Sequence, residues 1–177
     1  KGLLQTYFTQ AEQSARAAVA WDTSSASNWL NLSQVYQLVA GGDTTDGYTN
    51  AVAAADAAQE RSPINPIFAL NHAQLAFLKQ DTTLALQYVA DALTLKSDYI
   101  DAYIIRGQIR ESVGEVGAIQ QELLAYTKVA PFDVQGYFLL GQTYSTVKNY
   151  QAALEAYTRA AQLSPNNPNP SLSVINT

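Results

Sequence analysis

A period of 34 residues runs through most of this 177-residue sequence and limits its fold more than any other feature. Small residues recur at that spacing at Gly141, Gly107 and Ala73. A second column of turn-forming residues keeps the same spacing: Pro165, Pro131, Ser97 and Pro63. Ser33 lies 40 residues before Ala73, so about six residues are inserted in that copy. A period of this length is typical of stacked repeats, in which each unit buries its apolar face against its neighbours.

Each copy contains two runs of about 14 residues whose apolar positions recur at helical spacing. In the last copy these positions are Tyr137, Leu140, Gly141 and Tyr144, followed by Tyr150, Ala153, Tyr157, Ala160 and Leu163. The repeating unit is therefore predicted to be a pair of helices, A and B. A hydrophobic content of 47% supplies enough apolar material for a packed core.

The repeats resemble the tetratricopeptide repeat, which has a large residue, a Leu, a small residue and a Tyr in helix A. Its helix B carries alanines around an aromatic residue, and a proline follows. The copy from Val134 carries the whole pattern: Tyr137, Leu140, Gly141, Tyr144, Ala153, Tyr157, Ala160 and Pro165. The copy from Ala26 carries most of it: Trp29, Leu32, Ser33 and Tyr36, then Ala51, Ala55, Ala58 and Pro63 after the insertion. This resemblance implies an all-α fold, a right-handed α-solenoid of tetratricopeptide-type helix pairs.

The register of the repeats divides the chain into six predicted segments. They are helix B of a partial first repeat at 2–23, a repeat at 26–65 with a loop insertion between its helices at 40–47, repeats at 66–99, 100–133 and 134–167, and an extended tail at 168–177. The repeat at 100–133 diverges most from the family pattern.

Arg106 and Arg110 interrupt the pattern, because they stand where the resemblance implies an interior leucine and tyrosine. Burying two unpaired cations would be very costly. One hypothesis is that the arginines reach water or pair with carboxylates, for which Glu111, Glu115 and Glu122 lie nearby in sequence. The other hypothesis is that they form an anion-recognition point.

The resemblance also implies a binding groove, because the A helices of such repeats line the concave face. Apolar residues and glutamines occupy the positions concerned. The predicted groove residues are Leu30, Gln34, Gln37, Leu70, Gln74, Phe77, Ile104, Gln108, Phe138 and Gln142. A glutamine amide can pair with the backbone of an extended peptide. The alternative is that the glutamines only bridge neighbouring A helices.

The groove residues do not reproduce the carboxylate clamp with which some members of this family capture a C-terminus. The clamp requires lysine, asparagine and arginine at positions that this chain fills with Leu30, Gln34, Asn71, Asp101 and Ile105. Only Asn71 fits. Capture of a terminal carboxylate is therefore not expected.

Composition excludes several other classes of function. The chain has 10 Lys and Arg against 15 Asp and Glu, and this net charge of −5 disfavours nucleic acid as a partner. It contains no cysteine, and its single histidine, His72, has no catalytic or metal-binding partner at a recognisable spacing. No apolar run approaches the roughly 18 residues of a membrane span. We therefore predict no enzyme activity, metal or cofactor, and no insertion of this segment into a membrane.

The function expected from these observations is a non-catalytic scaffold that binds a protein or peptide. An alternative comes from the stretch NWLNLSQVYQLV and the GD-containing insertion after it, which resemble arrays joined to O-antigen-ligase-like bacterial membrane proteins. That resemblance implies an accessory extracytoplasmic domain of a larger enzyme of glycan transfer or export. The start KGLLQTYF, without an initiator Met or a signal peptide, indicates a piece of a longer protein. Both an extracytoplasmic and a cytoplasmic location remain open.

Overall fold

The regular structure of this protein is helical throughout the part that the computed structural model describes, residues 2–40 and 45–164. Nine helices occupy these residues: α1 Gly2–Trp21, α2 Ala26–Ala40, α3 Thr45–Arg61, α4 Pro66–Leu78, α5 Thr82–Leu95, α6 Ile100–Ser112, α7 Ala118–Val129, α8 Val134–Thr146 and α9 Tyr150–Leu163. No β-strand occurs in these two ranges. The predicted fold class, an all-α helical repeat, is confirmed.

The helices pack as consecutive pairs. The most extensive contacts join α2 to α3, α4 to α5, α6 to α7 and α8 to α9, while α1 packs on α2. The chain divides after Lys96 into two compact units, so that α1 to α5 form unit 1 and α6 to α9 form unit 2.

Several helices begin at a side chain that caps the first turn. Oδ1 of Asn65 accepts a hydrogen bond from the Ile67 backbone N–H at 3.1 Å, and Pro66 supplies a first residue that needs no hydrogen bond. Asp81, Asp133 and Asn149 cap α5, α8 and α9 in the same way. Because such caps satisfy N–H groups that lack partners within the helix, they fix where each helix starts.

The connection between α2 and α3 is shorter than the loop predicted at 40–47. Ala40 still belongs to α2 and residues 45–47 to α3, while residues 41–44 lie outside the described residues. Asp46 stands in the first turn of α3, where a carboxylate is stabilised by the helix dipole. The predicted tail at 168–177 also lies outside the described residues.

Small residues bring the helices of unit 1 together. Ala51, Ala54 and Ala55 of α3 are buried in one cluster with Leu32 and Tyr36 of α2. Because an alanine methyl occupies little space, the backbones of α2 and α3 can approach closely and the tyrosine ring fills the remaining volume. The alanine column recognised in the sequence therefore lies at the interface of the pair.

Glycines of helix A perform the same task in unit 2, where they face Ile119 of α7 and Tyr157 of α9. A Cβ on Gly107 would stand 2.7 Å from the Cα of Ile119, so α6 and α7 are in close backbone contact there. A Cβ on Gly141 would stand 2.6 Å from Cε1 of Tyr157. These glycines make room for Ile119 and Tyr157, and α7 can therefore keep an isoleucine where the family pattern has alanine.

Candidate functional site

Arg106 and Arg110 of α6 share one buried carboxylate on α7. Nε and Nη2 of Arg106 donate to Oε2 of Glu122 at 2.9 and 2.6 Å, and Nη1 of Arg110 donates to Oε1 at 2.6 Å. The Glu122 side chain is 6% exposed, whereas those of Arg106 and Arg110 are 29% and 28% exposed. The Arg106 guanidinium also lies over the ring of Tyr103, 4.8 Å from its centre. Both arginines thus pair with a carboxylate while keeping partial access to water.

A second carboxylate extends this cluster to the turn between α6 and α7. Nε and Nη2 of Arg110 donate to Oε2 of Glu115 at 2.8 and 2.6 Å. The hydrogen bonds from Arg110 to Glu115 and then to Glu122 raise the pKa of the guanidinium above its ordinary value. Two arginines and two glutamates balance in formal charge. The cluster therefore holds α6, α7 and their connecting turn together, and it offers an incoming anion no uncompensated cation.

An apolar cleft lies where side chains of α6, α7 and α8 meet in unit 2. It has a volume of about 190 Å³. Its lining consists of Ile104, Ile119, Leu123, Leu139, Gln142, Thr143 and Thr146. The isoleucines and leucines form an apolar floor, and the glutamine and threonines supply polar groups beside it.

A second cleft of about 440 Å³ adjoins the first and shares Ile119, Thr143 and Thr146 with it. It extends toward the ends of α6 and α8, where Glu111, Val116, Gly117, Gln120 and Val147 complete its lining. We call the two clefts together the α6–α8 groove. Val116 is 94% exposed, so its side chain is available to a ligand.

Hydrogen bonds fix the walls of the groove. Nε2 of Gln120 donates to the carbonyl oxygen of Thr143 at 3.2 Å and thereby ties α7 to α8. Oε1 of Glu111 accepts from the Ile119 backbone N–H at 3.3 Å and ties α6 to the start of α7. The hydroxyl groups of Thr143 and Thr146 donate to carbonyl oxygens of α8. Because these hydroxyl protons already have acceptors, the threonines can present their methyl groups to an apolar ligand.

The predicted groove residues of unit 2 are only partly brought together. Ile104 and Gln142 line the α6–α8 groove. Gln108 is exposed on α6 but does not line either cleft, and Phe138 packs against the ring of Tyr157 with 5.7 Å between centroids. Within the described residues, the side chains of Gln108 and Gln142 form no hydrogen bond with the protein, so they do not bridge the A helices in this way.

Two of the predicted groove residues of unit 1 require a correction. Leu30 and Leu70 are 7% and 4% exposed and belong to the core. Leu30 is buried against Ala58 and Phe68, because α4 packs on α2 as well as on α3. Neither leucine is available to a ligand in this structure.

The other predicted groove residues of unit 1 vary in exposure. Gln34 is exposed, and Gln37, Gln74 and Phe77 are half-buried. Nε2 of Gln37 is buried without a hydrogen-bond partner among the described residues. The apolar column predicted for this face is therefore interrupted in unit 1.

His72 is buried in unit 1 and stacks on Tyr88 with 5.2 Å between ring centroids. Its Nε2 lies 3.5 Å from Oδ1 of the exposed Asp56. Burial lowers the pKa of His72, and the neighbouring Asp56 carboxylate partly opposes that shift. Across residues 2–40 and 45–164, no group of three or more His, Cys, Asp or Glu side chains is arranged to hold a metal ion.

Most of the groove lining was not predicted from the sequence. Leu139, Thr143 and Thr146 of α8 lie next to the predicted positions, and Val116 lies in the turn SVGEVG. A valine between Gly114 and Gly117 in a turn, where burial is difficult, was a usable signal for an exposed apolar residue. In the described part of the chain, no helix combines the length and the apolar character that crossing a membrane requires.

Comparisons with known proteins agree with the repeat architecture. The tetratricopeptide repeat family matches residues 45–100 and 134–167, which together span just over half of the chain. The crystal structure of MamA superposes with a TM-score of 0.54 at 15% identity, covering 92% of this chain and 91% of MamA. The pilF structure from Pseudomonas aeruginosa gives a TM-score of 0.57 at 16% identity, covering 98% of this chain and 75% of that one.

At these identities the likeness to MamA and pilF concerns the fold alone. No curated protein sequence matches the chain significantly. The family matches, the helix pairs and the alanine and glycine columns at their interfaces all lead to one assignment. The chain belongs to the tetratricopeptide repeat family.

Proposed function

We propose that this chain is a non-catalytic scaffold that binds a segment of another protein, and that the α6–α8 groove is the binding site. The observation that carries the proposal is an apolar floor open to solvent beside the fully exposed Val116. A concave, mostly apolar surface with a few polar groups at its edge has the usual form of a ligand-binding site.

The chemistry of the groove suits a peptide. Ile104, Ile119 and Leu139 offer apolar contact, and the amide of Gln142 offers donors and an acceptor to a peptide backbone. Among the described residues, Glu111 is the only charged residue in the lining, and the hydroxyl groups of Thr143 and Thr146 donate to backbone carbonyls rather than to a base. Binding rather than catalysis is what these side chains can perform.

The setting of the scaffold is a separate proposal. The resemblance of residues 28–39 to arrays of O-antigen-ligase-like membrane proteins favours an accessory extracytoplasmic domain of a bacterial membrane enzyme. This proposal depends on the sequence resemblance only, and the groove has the same role in either setting.

The proposal is tested by filling the groove. Peptides that bind the purified chain are first selected from a displayed random library. Their affinities for the wild-type chain and for Thr146→Phe are then measured by fluorescence polarisation. In Thr146→Phe a ring occupies the point shared by both clefts. Thr158→Phe is the matched control, because Thr158 is an exposed threonine of α9 in the same unit.

We expect Thr146→Phe to weaken binding about tenfold, since the displaced ligand loses the burial of about one aliphatic side chain. Thr158→Phe should leave the affinity unchanged. Equal affinities for both variants would show that the selected peptides bind elsewhere and would reject the groove as the site.

A further inference from the structure

We propose that the α6–α8 groove recognises an extended segment that is both aliphatic and cationic, with a lysine or arginine of the ligand placed against Glu111. This inference rests on the proposed function and adds the chemical class of the ligand. It concerns unit 2 alone.

The preference for aliphatic side chains follows from the lining. Every apolar residue that lines the two clefts is aliphatic: Ile104, Val116, Ile119, Leu123, Leu139 and Val147. Leu123 is buried in the floor of the groove, and Val116 is exposed at its rim. The apolar lining therefore extends from the floor to the rim. An isoleucine, leucine or valine of the ligand would gain roughly 25 cal/mol for each Å² of apolar surface it buries there.

The preference for a cation follows from how the charges of α6 are distributed. Arg106 and Arg110 direct their guanidinium groups to Glu122 and Glu115, so their charge is already compensated. Glu111 lines the groove, and within the described residues no lysine or arginine forms an ion pair with it. A ligand cation would therefore meet an uncompensated carboxylate, whereas the lining of the two clefts contains no lysine or arginine for a ligand anion.

Glu111 is also held in place before a ligand arrives. Its Oε1 accepts the Ile119 N–H at 3.3 Å, so the carboxylate is anchored at the start of α7. A carboxylate that is already positioned loses less conformational freedom when it binds a cation. The net charge of −5 for the whole chain adds a long-range attraction for cationic partners that salt weakens.

The test uses three acetylated and amidated peptides that share a core in which Ile and Leu alternate with Ser. The core is flanked by Lys in the first peptide, by Gln in the second and by Glu in the third. Affinities are measured by fluorescence polarisation on the full chain and on Glu111→Gln and Glu111→Lys. Glu111→Gln keeps an oxygen that can accept the Ile119 N–H, so the start of α7 is preserved.

On the wild-type chain we expect the Lys peptide to bind most tightly and the Glu peptide most weakly. Glu111→Gln should reduce the affinity for the Lys peptide about two- to fivefold, the range of an exposed ion pair, and should leave the Gln peptide unchanged. Glu111→Lys should reverse the order of the Lys and Glu peptides. Glu60→Gln is the control, because it removes one exposed carboxylate from unit 1 and changes the net charge equally.

The outcomes separate this inference from the proposed function. If the three peptides bind equally and Thr146→Phe weakens all of them, the cation preference is wrong and the groove remains the binding site. If Glu60→Gln lowers the affinity for the Lys peptide as much as Glu111→Gln does, the preference comes from the net charge of the chain. The role of Glu111 is then rejected. If none of the peptides binds, or if Thr146→Phe and Thr158→Phe behave alike, the inference and the proposed function both fail.

Discussion

The ring of Tyr126 in α7 lies directly against Gly136 in α8, where an added Cβ would stand 2.6 Å from its Cε1. The phenol also donates a hydrogen bond of 2.5 Å to Oδ2 of Asp133, whose Oδ1 caps α8 through Gln135. Family members have a small residue where this chain has Tyr126. In this chain the small residue at the contact is Gly136 of α8, the helix A of the next repeat. Its missing side chain leaves the space that the Tyr126 ring occupies.

Gly136→Ala is expected to destabilise unit 2 by about 1–3 kcal/mol, because the added methyl group overpacks against the tyrosine ring. Urea unfolding followed by circular dichroism measures the loss. The same change made in a Tyr126→Ala background is the control, since the clash is then absent. There Gly136→Ala should gain about 0.5–1 kcal/mol from the higher helix propensity of alanine. A similar loss in both backgrounds would contradict the contact.

Glu122→Gln is expected to lower the stability of unit 2 by about 1–3 kcal/mol, because it leaves two adjacent guanidinium groups without their shared carboxylate. This range is below that of a fully buried pair, since Arg106 and Arg110 keep access to water. The difference from wild type should shrink at high salt, because ions screen the repulsion between the arginines.

Glu155→Gln is the control for this change, since Glu155 is exposed on α9 and accepts a hydrogen bond from the side chain of Gln151 one turn earlier. Thermal unfolding of both variants at low and high salt makes the comparison. An equal effect of the two substitutions would show that the cluster contributes nothing specific to folding.

Acidification should destabilise unit 1 through His72. Burial lowers the pKa of His72 in the folded chain below its ordinary value of 6.5. The unfolded chain therefore binds a proton more readily, and stability that is present above pH 6.5 is lost as the pH falls toward the folded pKa. His72→Phe keeps a ring against Tyr88 and has no such titration.

The measurement for His72 is the urea midpoint of both proteins across this pH range. His72 is the only histidine, so no other imidazole contributes to the difference. The wild-type midpoint should fall relative to that of His72→Phe below pH 6.5. Parallel curves for the two proteins would mean that His72 has the same pKa folded and unfolded.

The sequence predicted the helix pairs because their signal is local and repeated. Ala51 and Ala55 recur at helical spacing, and Gly107 and Gly141 keep the 34-residue period, so their places at helix interfaces followed directly. The pairing of Arg106 with a carboxylate followed from the cost of burying a charge.

The groove could not be located in this way, since it depends on which helices pack beyond their own pair. Leu30 has the same place in its repeat as Ile104, but Phe68 of the next repeat buries Leu30 while Ile104 stays at the edge of a cleft. Val116 lies in a turn, where the periodic pattern gives no information about exposure. Contacts between repeats, rather than within them, therefore decide which residues a ligand can reach.

The glutamines of helix A offer a test with a built-in control, because Gln142 lines the α6–α8 groove and Gln108, at the same place in the preceding repeat, does not. Both are exposed, and replacing either by alanine should change the free energy of unfolding by no more than about 0.5 kcal/mol. Gln142→Ala should weaken a groove-bound peptide by about 1 kcal/mol through the loss of one amide hydrogen bond, while Gln108→Ala should not. Calorimetric unfolding and peptide titration on the same two variants make the comparison. If both variants unfold at lower temperature and bind the peptide as tightly as wild type, the glutamines act in helix packing and the role of Gln142 in binding is rejected.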